Sequence, residues 1–294
     1  MRCLILGGDG MLGHQLLKSW QGQHDVRVTV RGPLASYAKY GLFHSGNTYA
    51  SVNAQETDRV LEVMGEFRPE AIINCVGIIK QRSAAKEAIP SLEINSMLPH
   101  RLRLICAASG TRLVHLSTDC VFNGRRGMYR QTDPADAEDL YGLSKYLGEV
   151  SDAPGITIRS SIIGLELSRK QSLIEWFLAQ RGNIRGFTRA IYTGVTTVEM
   201  ARVIDHVLTR QPELHGVWQV AAAPINKHDL LCKLSTMLGR RDITITPDQT
   251  FHCDRSLDGS DFANRTGYVV ADWNRMLLEL AAQIQERGVL HEAA

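Results

Sequence analysis

Tyr141 and Lys145, in the stretch Tyr141-Gly142-Leu143-Ser144-Lys145, set a phenol and an ammonium four residues apart. On a helix that spacing puts both side chains on one face, where they can act on one ligand. An ammonium beside a phenol favours the phenolate and draws the phenol down from its usual pKa of ~10. Such a phenol suits protonation of a carbonyl oxygen as it becomes an alcohol. A second pair of hydroxyls, Ser117-Thr118, closes an apolar run at residues 113–116. In an open parallel sheet ligands sit at strand C-termini, so a hydroxyl there can hold the carbonyl while Tyr141 donates. Thr118, Tyr141 and Lys145 are the candidate catalytic set, and Ser117 is a candidate substrate contact.

A hydride donor completes that chemistry, and the N-terminus offers a place for one. Gly7-Gly8-Asp9-Gly10-Met11-Leu12-Gly13 follows the first apolar run directly and opens an amphipathic stretch. Glycines at this spacing let the chain turn sharply, approach a pyrophosphate and pack helix on strand. The free N–H groups and positive dipole end of the helix then face the phosphates. Gly7, Gly10, Met11, Leu12 and Gly13 are therefore assigned to a dinucleotide. NAD-specific domains place an acid at the end of the second strand, whereas this chain has Arg27-Val28-Thr29-Val30-Arg31-Gly32. A guanidinium at Arg31 suits a 2′-phosphate, so NADPH is expected, with NADH as second choice. Val76, Gly77, Tyr141 and Lys145 complete the expected cofactor contacts.

The elements that must position these groups follow a simple rhythm. Residues 2–6, 26–30, 71–75, 112–116 and 156–159 read as buried strands, and 11–20, 56–67, 92–108 and 140–150 as helices. Pro99 falls inside the third helix and suggests a kink or a later start there. Alternation of this kind implies βαβ units and an α/β, Rossmann-type, doubly wound parallel sheet. After about residue 160 the rhythm loosens into helices at 172–180, 198–210, 229–238 and 271–286, with short strands near 217–221 and 243–245. The expected organisation is a dinucleotide-binding domain over 1–165, joined by parts of 186–225. A smaller mixed α/β substrate lobe, interleaved with it, covers 166–294.

Composition narrows the classes. The 294 residues are 44% hydrophobic and 22% charged, ordinary for a globular protein, with 33 basic against 31 acidic side chains. No like-charge block reaches five residues, so no nucleic-acid partner is expected. No apolar run is long enough to span a bilayer, and none resembles a signal peptide, so no membrane association is expected. Six scattered cysteines without a C-x-x-C pair fit a reducing cytoplasm, and no Cys/His cluster has metal-ligand spacing.

These features together resemble the extended short-chain dehydrogenase/reductases, and most closely the dTDP-4-dehydrorhamnose reductase family. The marks are the glycine turn, Asn74, Ile94-Asn95 with Pro99, Leu116-Ser117-Thr118-Asp119-Cys120-Val121-Phe122, and Tyr141-Gly142-Leu143-Ser144-Lys145 followed by Gly148-Glu149. Near the C-terminus Arg255-Ser256-Leu257-Asp258, Thr266-Gly267-Tyr268 and Trp273 resemble the family's closing segment. The resemblance implies NADPH-dependent reduction of the 4-keto group of a nucleotide-linked 6-deoxy sugar, for deoxysugar or cell-surface polysaccharide synthesis, with a homodimer admissible. It makes Thr118 the catalytic hydroxyl, Tyr141 the proton donor and Lys145 its partner.

Departures bear on the substrate. Cys120 replaces the usual tyrosine, Arg159 is followed by Ser160-Ser161-Ile162-Ile163 without the common tryptophan, and Asn53 stands where relatives carry an aspartate near the adenine. Cys120 and Arg255 are candidate substrate contacts, the latter for a diphosphate. Trp176, Phe187 and Arg189 are candidates either for the pocket wall or for core packing, and Ile79-Lys80-Gln81-Arg82 forms a basic loop. Two other readings stay open. Cys120 sits where bifunctional epimerase-reductases of the GDP-fucose synthase type carry a cysteine, though no histidine occurs between His115 and His206. A non-catalytic, NADP-binding regulatory subunit, like that of methionine adenosyltransferase, resembles the same reductases.

Overall fold

The computed structural model describes residues 1–79 and 87–292. In chain order the first six strands are β1 (Arg2–Leu6), β2 (Asp25–Thr29), β3 (Thr48–Tyr49), β4 (Ala71–Asn74), β5 (Arg112–Leu116) and β6 (Gly155–Arg159). The other six are β7 (Ile162–Ile163), β8 (Gly182–Tyr192), β9 (Val195–Thr196), β10 (Gly216–Gln219), β11 (Ile225–Asn226) and β12 (Ile243–Asp254). Helices α1 (Met11–Trp20), α2 (Thr57–Phe67), α3 (Ala88–Ser91), α4 (Leu98–Ser109) and α5 (Leu140–Leu147) alternate with the early strands. Later come α6 (Leu173–Ala179), α7 (Thr197–Arg210), α8 (Lys227–Met237), α9 (Ser260–Thr266) and α10 (Trp273–Glu292).

The main sheet has seven strands in the order β10-β6-β5-β4-β1-β2-β3, every pairing parallel. Parallel strands are covered on both faces and so read as unbroken apolar runs. All four residues of β4 and residues 3–6 of β1 are wholly buried. Successive side chains of a strand point to opposite faces. Thus Cys3 and Ile5 join the core against α1, α7 and α10, while Leu4 and Leu6 join the core against α2 and α4. Strand order reverses between β1 and β4, whose ends Leu6 and Asn74 are paired. An open α/β sheet presents its ligand crevice at such a reversal. The strand β10, far along the chain, forms the outer edge beside β6.

Where the sequence predicts one helix over 92–108, the chain forms three segments: α3, a π-helical turn at Leu92–Met97, and α4. Pro99 stands in the first turn of α4 and has no N–H to give the Asn95 carbonyl. That carbonyl lies against Gly148 so closely that a Cβ there would sit 1.8 Å from the oxygen. The interruption brings α4 and the end of α5 together.

The second half departs further from expectation. A three-stranded sheet, β11-β8-β12, stands apart from the main one, and β7 pairs with β9. Neither the eleven-residue β8 nor the extension of β12 to Asp254 is anticipated by the sequence, which suggests a strand only at 243–245. Only four of the eleven residues of β8 and two of the twelve of β12 are buried. Without a buried face the apolar period that marks a strand is missing. Among the described residues no helix is long and apolar enough to cross a membrane.

Candidate active site

The C-terminal ends of β1, β4 and β5 open into one cleft with two lobes of about 260 and 550 Å³. The smaller lobe is lined by Gly7, Gly10, Arg31, Asn53, Val76 and Gly77 among others. Gly10 precedes α1 without a side-chain cap, and no acidic residue stands in the first turn, so the N–H groups of Met11 and Leu12 are open to an anion. Gly13 lies behind this surface and does not line it. A Cβ there would meet the Gly7 carbonyl oxygen at 2.2 Å, so Gly13 is needed to pack helix on turn, a correction to its expected direct contact. Arg31 is exposed and makes no ion pair or hydrogen bond among the described residues. Asn53 is held by its neighbours, accepting from the Gln55 N–H and donating to Glu56. These residues fit an anionic dinucleotide, with Arg31 beside the end of β2.

The larger lobe is lined by Ser117, Thr118, Asp119, Cys120, Tyr141 and Lys145, and also by Lys227, Phe251, Cys253 and Arg255. Thr118 caps the short turn Asp119–Val121: its Oγ1 accepts from the Cys120 N–H at 3.1 Å and donates to Asp119 Oδ1 at 3.1 Å. Asp139 caps α5 in the same way, accepting from the Gly142 N–H at 2.8 Å. Gly142 lets α5 approach that turn, since a Cβ would fall 2.2 Å from the Cys120 carbonyl oxygen. Tyr141 is thereby delivered beside Thr118.

Electrostatics within the wall reverse one expectation. The Lys145 ammonium does not bring the Tyr141 phenol down. Burial raises the phenol well above its ordinary value and the carboxylate charge of Asp119 adds to this, while the Thr118 hydroxyl opposes it. Burial instead lowers Lys145 to about 8, with Glu149 and Cys75 opposing. Lys145 is 6% exposed and donates to the Leu116 carbonyl at 2.6 Å, so its charge is turned into the end of β5. Cys120 is pushed up to about 12 by burial and by Asp119, and stays a neutral thiol. The Asp119 carboxyl is raised by burial against the pull of Arg255.

Three of the family marks in the sequence, Asn95, Asn74 and Glu149, are supports of the site, a role that their spacing does not announce. Asn95, in the π-helical turn, accepts from the Ile78 N–H at 2.9 Å and donates to the Ile78 carbonyl at 3.0 Å and to Ser144 Oγ at 3.1 Å. It ties the loop after β4 to α5. Asn74 accepts from the Val76 N–H and donates to Nδ1 of buried, neutral His115. Glu149 is gripped by Arg159 through Nε at 2.7 Å and Nη2 at 2.6 Å, both side chains about 95% buried (6% and 5% exposed). Ser117 Oγ donates to the same carboxylate at 2.7 Å, so its proton is committed to Glu149 rather than turned to a ligand. A clue existed: Arg159 ends an otherwise apolar buried strand, and a buried charge needs a partner.

Among the remaining candidates, Cys120 and Arg255 line the larger lobe. Arg255 Nε already donates to the Phe122 carbonyl at 2.7 Å, which fixes the guanidinium at the wall. Trp176, Phe187 and Arg189 do not line the cleft: Trp176 is 40% exposed, Phe187 packs on Phe251 and Arg189 is exposed. Of the basic loop, Ile79 lines the larger lobe, and Lys80, Gln81 and Arg82 lie outside the described residues.

A family model described as the RmlD substrate binding domain matches residues 1–156, more than half of the chain and the part that carries the glycine turn, Thr118, Tyr141 and Lys145. The chain belongs to this family. Within it, the chain is 30% identical to a dTDP-4-dehydrorhamnose reductase of Streptomyces griseus over 149 residues, 50% of this chain and 43% of that protein. It is 28% identical to the spore coat polysaccharide biosynthesis protein SpsK of Bacillus subtilis (50% and 47%), and 26% identical to methionine adenosyltransferase 2 subunit beta of Bos taurus (50% and 41%). The chain spans about half the length of the relatives it matches. The fold extends further than these alignments. A dTDP-4-dehydrorhamnose reductase of Clostridium acetobutylicum superposes with a TM-score of 0.78 at 20% identity, covering 97% of this chain and all of that one. The Bordetella bronchiseptica enzyme WbmG, solved with NAD and UDP, gives 0.79 at 17% identity, over 98% and 96%.

Proposed function

We propose that this member of the RmlD family is an NADPH-dependent reductase of the 4-keto group of a nucleotide-linked 6-deoxy-4-keto sugar. One observation carries it: Thr118, Tyr141 and Lys145 line one lobe of a cleft that continues into the glycine-turn lobe. Residues 1–165 with β10 would hold the dinucleotide, and 166–294 most of the sugar nucleotide. Reduced nicotinamide, when bound, supplies the hydride. Thr118 orients the carbonyl and Tyr141 gives its phenolic proton to the oxygen as negative charge develops there. The raised phenol stays protonated at neutral pH, so the proton is in place when the carbonyl oxygen becomes negative. Lys145, at about 8, keeps its charge at pH 7 to bind the ribose hydroxyls. Lys227 and Arg255 offer cations for a diphosphate. Arg31, with no acid in its place, supports the 2′-phosphate of NADPH. A B. anthracis dTDP-4-dehydrorhamnose reductase of the same fold was solved with NADP.

The reading predicts NADPH oxidation, followed by absorbance, with at least one sugar of a panel of 4-keto-6-deoxy nucleotide sugars. Tyr141→Phe should cost on the order of 10²–10⁴ in turnover while leaving cofactor binding intact. Tight dinucleotide binding with no turnover across the panel would instead favour the regulatory-subunit reading, which the methionine adenosyltransferase relatives keep in view. The epimerase-reductase reading is weaker: no histidine lines the larger lobe among the described residues, and the neutral Cys120 thiol is a poor base.

A further inference from the structure

Arg169 stands on a loop between β7 and α6 that is fastened through Glu166, Lys170, Gln171 and Ser172. The Glu166 carboxylate accepts the N–H groups of Gln171 at 2.6 Å and Ser172 at 2.8 Å. The Glu166 N–H donates to Glu175 Oε1 at 2.8 Å, and Arg287 of α10 grips the same carboxylate at 2.6 Å. Lys170 is held in the left-handed region at φ 54°, its ammonium donating to the Glu166 carbonyl at 2.9 Å and pairing with Glu175 at 3.2 Å. A non-glycine residue keeps such a backbone only where its surroundings over-determine it, and positions of this kind cluster at ligand clamps. The arginine next to it is exposed and has no hydrogen bond or ion pair among the described residues. The loop is braced at Glu166, Lys170 and the backbone of Gln171 and Ser172, and its guanidinium is left unengaged among the described residues.

Its place in the cleft gives that guanidinium a target. Six residues line both lobes: Gly10, Cys75, Val76, Gly77, Ile78 and Arg169. The first five belong to the glycine turn and the end of β4, and Arg169 alone comes from beyond β6. It therefore shares the junction of the lobes with Gly10 at the uncapped start of α1, where a dinucleotide's pyrophosphate would rest. We propose that Arg169 is a positioning residue that clamps this pyrophosphate from the side opposite α1, by the paired N–H geometry guanidinium offers to phosphate oxygens. The assignment rests on the cofactor reading above and adds a contact from the second half of the chain, outside the stretch shared with the family.

The test is calorimetric titration of the full chain with NADP⁺ and with NAD⁺. Because the pyrophosphate is common to both, Arg169→Ala should weaken both by the same factor, roughly tenfold. Arg169→Lys, which keeps the charge and loses the fork, should fall between. Arg31→Ala should weaken NADP⁺ alone. Thermal unfolding of Arg169→Ala should match wild type, since the side chain has no internal partner. Unchanged affinity for both dinucleotides, or a loss confined to NADP⁺, overturns the clamp while leaving the cofactor reading standing. A wild-type chain that binds neither dinucleotide brings down the cofactor reading, and the clamp with it.

Discussion

The two sheets of this protein are built on opposite terms. In the main sheet β6 is buried at every residue and β4 likewise, so each side chain is constrained from both faces. In the second sheet β8 and β12 are mostly outside the core, and β12 loses its register with β8 between Asp248 and His252. Chemistry common to a family needs atoms held in place, and the fully buried strand ends provide that. Side chains on an exposed sheet can change without unfolding the protein. The family match stops at residue 156, at the boundary between these regimes.

The comparison breaks most sharply at Glu149. Removing its carboxylate with Glu149→Ala leaves the Arg159 guanidinium buried without a counter-charge and frees Ser117. Loss of one partner of a buried pair costs about 3–5 kcal/mol, so chemical denaturation should show a drop of that size. A drop below about 1 kcal/mol would mean that water reaches Arg159 and the site is less rigid than its burial indicates.

Lys145 gives a smaller effect with a defined pH window. Its native pKa is lowered to about 8 from 10.5. Between those values the unfolded chain holds the proton that the native lysine has lost, so raising the pH favours the native state. The stability of wild type relative to Lys145→Met should therefore climb by about 3 kcal/mol from pH 8 to 10.5. Taking the difference removes the opposing contribution of thiols and phenols whose native values are raised. A flat difference would show that the ammonium is solvated in the cleft.

The second sheet should respond least. Arg189 on β8 is exposed and does not line the cleft. Arg189→Ala should change unfolding free energy by less than about 0.5 kcal/mol and leave turnover unaltered. A large loss of activity there would mean that exposed side chains of β8 reach the substrate, and not only residues 190–192, which line the cleft.

Legibility followed the same divide. Strands β1 and β5 and helix α1 have the limits that apolar periodicity predicts, because a side chain buried on both sides must be apolar. The glycine turn, Thr118, Tyr141 and Lys145 were legible because short-range backbone geometry dictates their spacing. Strand β8, α9 and the π-helical turn were not, since polar residues mask the period of the first and contacts distant in sequence impose the last.

By itself, then, the chain's order of residues determined a doubly wound sheet, a turn suited to phosphates, and a hydroxyl–phenol–ammonium set at the strand ends. Those features depend on local sterics and on burial. Only the tertiary structure decided the electrical state of that set: a phenol raised and a lysine lowered, because desolvation depends on what surrounds a group on every side. Only the structure, too, committed Ser117 to Glu149 and moved Gly13 behind the cofactor surface. It also placed Arg169 and Gly10 in the lining of the same two lobes, a separation along the chain that no spacing rule spans.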